Sequence, residues 1–158
     1  MVLSNGSSMI YAQSALPNNT FSTPTRNTAM KFGYTILYVQ DVTKAVEFYE
    51  NAFGFTRKFV TPENDYGELF VGETTLSFAS TVLAKSNLTK GFTESSLANK
   101  PFGIEIGFIT ENVEKAVLTA INAGATIVEN PKTKPWGQIV AYVRDLDGFL
   151  IEICTPIS

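Results

Sequence analysis

The chain has 158 residues, 44% of them hydrophobic and 17% charged, with a formal net charge of −3. That length and apolar content suit one globular domain with a real core and exclude a disordered chain. The acidic balance, without any Lys/Arg cluster, argues against a nucleic-acid partner. Histidine is absent and Cys154 is the single cysteine. These counts exclude a Ser-His-Asp triad and an intramolecular disulfide, and they fit a reducing, cytoplasmic setting. No apolar run reaches the roughly 18 residues of a membrane span, so no membrane partner is expected.

Residues 1–30 are rich in Ser, Asn and Thr, and Arg26 is their only charge. They lack the basic start and apolar stretch of a secretory signal. They are expected to form a leader outside the core, with a single domain over 31–158. Lys31 to Gln40 is an apolar run that predicts a buried strand. Asp41 is a good N-cap for a helix whose stripe is Val42, Ala45, Val46, Tyr49, Ala52 and Phe53, and Gly54 stops it. Three strands are predicted next, at 56–61, 66–71 and 74–81, with turns at Asn64-Asp65 and Gly72-Glu73.

The polar stretch 83–100 reads as a linker holding at most a helical turn. After it the plan repeats. A strand is predicted at 102–110, and Asn112 caps a helix with the stripe Val113, Ala116, Val117, Ala120 and Ile121. Gly124 ends that helix, and strands follow at 126–129, 138–144 and 149–154. Asp147-Gly148 makes the last hairpin turn.

The second helix is a copy of the first. Val42, Lys44, Ala45, Val46, Asn51 and Ala52 recur 71 positions later as Val113, Lys115, Ala116, Val117, Asn122 and Ala123. Each module, about 31–82 and 101–156, is therefore strand–helix–strand–strand–strand. One such unit leaves a sheet face bare. Two units are expected to set their helices outside and curl their sheets toward one another around a concave face, where a small molecule would sit.

The segments YTILYVQDVTKAVEFYENAFGF at 34–55, IGFITENVEKAVLTAINAGA at 106–125 and PWGQIVAYVRDLDGFLIEI at 135–153 resemble the vicinal oxygen chelate superfamily. That superfamily holds glyoxalases, bleomycin-resistance proteins and extradiol dioxygenases. The likeness covers about residues 31–156. It implies an α+β fold of paired βαβββ modules forming a curved, incompletely closed mixed barrel-like sheet with helices outside. It also implies a homodimer, with the pocket bordered by two modules of one chain or by two subunits.

Metal-dependent members of that superfamily set four ligand positions on the inner strands, usually mixing His and Glu. The resemblance puts these positions at Tyr34, Ser77, Glu105 and Glu152. With no imidazole in the chain, zinc and non-haem iron are not expected, and dioxygenase chemistry goes with them. Glu105 and Glu152 are weak metal candidates at best, and Mg²⁺ or Mn²⁺ is the class of ion such oxygens would hold.

Glu105, between Gly103 and Gly107, is expected on the open face, as a ligand contact or as a structural carboxylate. Glu152 is expected to face it and to act as a general base, or else to pair with Arg144 or Arg57. Trp136 is read as an aromatic wall at the pocket mouth or as a loop residue packed on the sheet edge. Tyr34, Tyr38 and Tyr142 are read as pocket-lining or core residues, and Cys154 as a small core residue.

These expectations combine into a protein that binds a small organic molecule, cationic and aromatic in character, without a metal. The alternative is a lyase or epimerase that uses Glu152.

Overall fold

A computed structural model describes residues 30–157 of the chain. The expected leader therefore lies outside the described residues, apart from Met30. The elements run β1 (Thr35–Val39), α1 (Val42–Phe53), β2 (Thr56–Val60), β3 (Tyr66–Val71), β4 (Thr74–Ser80), α2 (Thr81–Asn87), β5 (Glu105–Ile109), α3 (Val113–Asn122), β6 (Thr126–Thr133), β7 (Ile139–Arg144) and β8 (Leu150–Cys154). No helix among the described residues is long and apolar enough to cross a membrane.

The helix ends follow from local chemistry. The Asp41 carboxylate accepts the Lys44 N–H at 3.1 Å, and the Asn112 side chain accepts the Lys115 N–H at 2.9 Å. Each satisfies an amide that the first turn leaves without a partner. Gly54 closes α1 at φ 71°, a left-handed conformation that suits glycine. Two elements exceed the sequence reading. Helix α2 begins where Ser80, at the end of β4, accepts the Leu83 N–H at 3.1 Å. Strand β6 continues through Asn130-Pro131 to Thr133, because it is the edge of its sheet and its register with β7 slips there. An edge position tolerates the missing N–H of proline.

The strands form two four-stranded mixed sheets, ordered β1-β4-β3-β2 and β5-β8-β7-β6. In each, the first strand of the module runs parallel to the last, and the other pairings are antiparallel. This is the expected α+β fold of paired βαβββ modules whose sheets do not close.

How the two modules meet departs from the reading. Within one chain the sheets do not curl toward each other. Helix α1 packs on the first sheet, α3 on the second, and the two helices pack against one another. Leu37, Leu69 and Phe78 of the first sheet share one core with Ala141, Val143, Ile151 and Ile153 of the second. Tyr49, fully buried on α1, spans it: its ring lies 5.1 Å from that of Phe78 and 6.4 Å from that of Phe108. The helices thus lie between the sheets, and the uncovered sheet faces look away from each other. The reason is the stripe on each helix. Both stripes are apolar enough to be buried together, and the aromatic cluster of Tyr49, Phe53, Phe55 and Phe108 fills the seam.

The Asp145–Gly148 turn fastens this arrangement. Buried Asp145 accepts the Tyr49 hydroxyl at 2.9 Å with one oxygen. With the other it accepts the backbone N–H groups of Asp147 at 3.1 Å and Phe149 at 2.8 Å. Asp147 accepts the Gln40 N–H at 2.8 Å, a second tie between modules. Arg144 donates to the carbonyls of Gly148, Asn99 and Ser96 at 2.7–2.8 Å, and so pins the end of the linker.

Candidate functional site

Strand alternation sends one set of side chains into the core and the other onto the open faces. On the second sheet, Ile106 and Phe108 pack inward, while Glu105 stands on the open side with Gly107. A side-chain carbon added at Gly103 or Gly107 would meet nothing within 4 Å, so the space beside Glu105 is free. Glu152 projects from β8 on the same face, with Gly107 as its partner on β5 and Tyr142 on β7. The Tyr142 hydroxyl donates to Glu152 at 2.8 Å.

The electrostatics follow from that geometry. The Glu105 carboxyl is held above its ordinary value, first by burial and then by the neighbouring Glu152 carboxylate. The Tyr142 hydroxyl is pushed up to about 12, chiefly because its hydrogen bond to Glu152 would be lost on ionisation. Cys154 on the same strand is buried and pushed up to about 11, first by burial, so it is a poor nucleophile. Among the described residues neither Glu105 nor Glu152 makes an ion pair. Arg57 pairs with Glu50 at 2.6 Å and Arg144 serves the linker carbonyls, which removes the two ion pairs offered for Glu152.

The remaining positions are elsewhere. Ser77 lies on the first sheet, fully buried, with Ile36 and Glu68 as its register partners. Its hydroxyl makes no hydrogen bond of good geometry, although the Tyr66 hydroxyl is a near neighbour. Tyr34 precedes β1 and is 56% exposed. Tyr38 packs against Phe92 of the linker, ring centres 4.7 Å apart. Trp136 is 61% exposed beyond the end of β6, its indole N–H donating to Gln138 at 3.0 Å.

The structure therefore brings Glu105 and Glu152 together and leaves Tyr34 and Ser77 on the opposite side of the molecule. Within one chain the four positions do not surround a hollow. A cleft of about 690 Å³ lies instead between the end of α1 and the start of α3, with Phe53, Phe55 and Phe108 in its wall.

Sequence reasoning missed a polar group on the first sheet. Glu68 on β3 accepts the Tyr66 hydroxyl at 2.9 Å and pairs with the Lys58 ammonium at 3.4 Å. Lys58 also donates to the Thr75 hydroxyl and lies over the Phe70 ring, 4.6 Å from its centre. The signal was present: Tyr66, Glu68 and Phe70 alternate on β3, and Glu68 stands directly opposite Ser77. In the second module the matching cross-strand pair is Tyr142 and Glu152. Each open face thus carries a carboxylate bonded to a tyrosine, on different strands of the repeat.

These donors do not fit a zinc or non-haem iron centre, which needs imidazole or thiolate. Among the described residues no three acidic or sulfur ligands gather at one point. The second sheet offers two carboxylates and a phenol, and these can accept hydrogen bonds, attract a cation or exchange a proton.

Comparison with known proteins agrees with the architecture. Over 133 residues the chain is 29% identical to lactoylglutathione lyase GLX1 of Arabidopsis thaliana, matching 78% of this chain and 43% of that protein. The chain thus spans less than half the length of that relative. A glyoxalase-related enzyme from Fulvimarina pelagi superposes with a TM-score of 0.70 at 17% identity, over 81% of this chain and 89% of that one. A glyoxalase/bleomycin resistance protein/dioxygenase family enzyme from Burkholderia phytofirmans PsJN gives 0.65 at 24% identity, over 78% and 96%. At such identities the superpositions speak for the fold. The family model for the Glyoxalase/Bleomycin resistance protein/Dioxygenase superfamily matches residues 31–153, nearly all of the two modules, and the chain belongs to that superfamily.

Proposed function

We propose that the protein binds a small organic molecule, rich in hydrogen-bond donors or positively charged, in a hollow completed by a second copy of the chain. The observation that carries this reading is the Glu105–Glu152–Tyr142 group on a bare sheet face. Among the described residues neither carboxylate makes an ion pair, the nearest cation shown being Lys134 over the Tyr142 ring at 5.8 Å, and a ligand that donates to both relieves the cost of leaving them facing one another.

The second copy is supported by what each chain leaves uncovered. Among the described residues β1 and β5 are sheet edges without a partner strand, and Phe32, Tyr34, Ile104 and Ile109 beside them are between 56% and 80% exposed. Unpaired edges flanked by apolar side chains call for a covering partner. A partner that brings its β1 beside β5 would set Tyr34 and Ser77 across from Glu105 and Glu152. Binding would need no metal.

Sedimentation velocity and a thermal-shift panel of aromatic amines, phenethylamine among them, test this reading. The expected result is a dimer that an aromatic amine stabilises, with the effect lost in Glu152→Gln. A monomer, or no response across the panel, refutes it.

A second reading is supported by the name of the GLX1 relative and by the raised Glu105 carboxyl. In it, Glu152 takes a proton from the carbon beside a carbonyl and the Glu105 carboxylic acid returns one. Turnover of 2-oxoaldehyde–thiol adducts, abolished in Glu152→Gln, is the expected result. No turnover by the wild-type chain retires this reading.

A further inference from the structure

The repeat brings the paired helices together at two ends, and the chain closes only one of them. Where α3 ends and α1 begins, the Asp145–Phe149 turn fills the gap. Leu146 lies so near the end of α3 that a carbon added at Gly124 would sit 3.0 Å from its Cδ2. Asp147 accepts the Gln40 N–H, just ahead of the α1 cap, at 2.8 Å. Where α1 ends and α3 begins, the corresponding turn is only Gly72-Glu73, between β3 and β4. Neither of those residues lines the space between the helices, and the cleft of about 690 Å³ is left there.

The closed end shows what the open end lacks: an apolar group against the helix end and an acceptor for the N–H ahead of the cap. Phe53, Phe55 and Phe108 stand in the cleft wall with ring centres 4.9–5.9 Å apart, each partly exposed, and Ile109 beside them is 70% exposed. Water against such a wall is released when a ligand ring covers it. Glu111 holds the place of Gln40, 71 positions on, and its N–H has no partner among the described residues. Glu111 and Lys115 also put one charge of each sign on the rim, and neither makes an ion pair among the described residues. An ionised ligand would lose hydration to an apolar wall beside a rim of no net charge, so an uncharged ligand is favoured. Small-molecule sites are usually about 300–1,000 Å³, apolar-walled with a few polar groups, and this cleft has that make-up.

We propose that this cleft is a second ligand site, separate from the Glu105–Glu152 face, and that it takes an uncharged small molecule joining an aromatic ring to a carbonyl. The ring covers Phe53, Phe55 and Phe108, as Leu146 covers the end of α3. The carbonyl oxygen accepts the Glu111 N–H, as Asp147 accepts that of Gln40. The site is built from α1, α3 and β5 of one chain and needs no second copy.

The test is an NMR titration of the full chain with acetophenone, read at the Glu111 and Thr119 amides. Ethylbenzene, which keeps the ring and lacks the carbonyl, is the comparison. Thr119→Trp and Asn51→Trp each set a bulky ring at the cleft, from α3 and from α1, at exposed positions where the fold tolerates the change. Saturable shifts with acetophenone are expected at both amides, with ethylbenzene binding about fivefold more weakly, the worth of one neutral hydrogen bond. Binding is expected to be lost in both folded variants.

Absence of saturable shifts, or shifts that centre on Glu105 and Tyr142 instead, overturns the site. Binding that survives in both Trp variants overturns it as well, because a blocked cleft has no room for the ring. Ethylbenzene binding as tightly as acetophenone overturns the assigned ligand class.

Discussion

Replacing Asp145 with asparagine tests how the modules are joined. Asp145 is 1% exposed, and burial pushes its carboxyl from 3.8 up to about 6, against the opposing pull of Phe149 N–H and the Tyr49 hydroxyl. The native state therefore holds a proton on this group over a range where the unfolded chain has lost it. Between pH ~4 and ~6 the folded form binds more protons, so stability falls as pH rises through that window and is flat above it. A displacement of about two pH units corresponds to about 3 kcal/mol.

Asparagine removes the charge, keeps the two backbone bonds and reverses the one to Tyr49, whose buried proton loses its acceptor at every pH. Its oxygen accepts the N–H groups of Asp147 and Phe149, and its amide donates to the Tyr49 oxygen. Urea denaturation followed by far-UV circular dichroism, from pH 4 to pH 8, reads the difference between the two proteins. Taking that difference also cancels Asp147, whose carboxyl is likewise raised by burial. The stability of Asp145→Asn relative to wild type is expected to rise by about 3 kcal/mol between pH 4 and pH 7, because the cost of the reversed Tyr49 bond is the same at both. A relative stability that does not change between pH 4 and pH 7 would refute the reasoning.

Tyr49→Phe should cost about 1–3 kcal/mol at pH 7, because one Asp145 oxygen is left without its donor, and urea denaturation reads it; an unchanged midpoint would mean the cross-module bond is not formed. Gly148→Ala should destabilise by about 2 kcal/mol or more, since φ is 89° and the added carbon would lie 2.6 Å from the Arg144 guanidinium and 2.7 Å from the Ser96 carbonyl carbon. A neutral result in the same assay would show that the linker end gives way freely. Glu152→Gln should lower the Tyr142 hydroxyl from about 12 toward the ordinary 10, read by NMR titration of the ring carbon beside the oxygen. An unmoved titration would dismiss the Tyr142–Glu152 contact.

The order of elements was legible because it rests on local signals. Asp41 and Asn112 mark helix starts, Gly54 and Gly124 mark stops, and alternation separates Ile106 and Phe108 from Glu105. Placing the modules was a different matter. The helical stripes say that α1 and α3 are buried, but not whether each is buried by its sheet alone or also by the other helix, and Tyr49 does both. That single fact decides on which side of the molecule Ser77 stands relative to Glu152. Glu68 and Lys58 escaped notice because a short charged strand reads as an ordinary solvated edge until its neighbours are known. The Asp-Leu-Asp-Gly segment, read as a hairpin turn, also binds the two modules together through partners 96 and 107 residues away.

Because the apolar interior lies wholly between the two sheets, the outer surfaces of those sheets carry little of the burden of holding the molecule up. Residues such as Glu105, Gly107 and Trp136 can be exchanged there at a cost of a few tenths of a kcal/mol, whereas an exchange at Tyr49 or Phe78 reaches both halves at once. Such a scaffold lets the groups that meet a ligand be exchanged while its frame stays fixed.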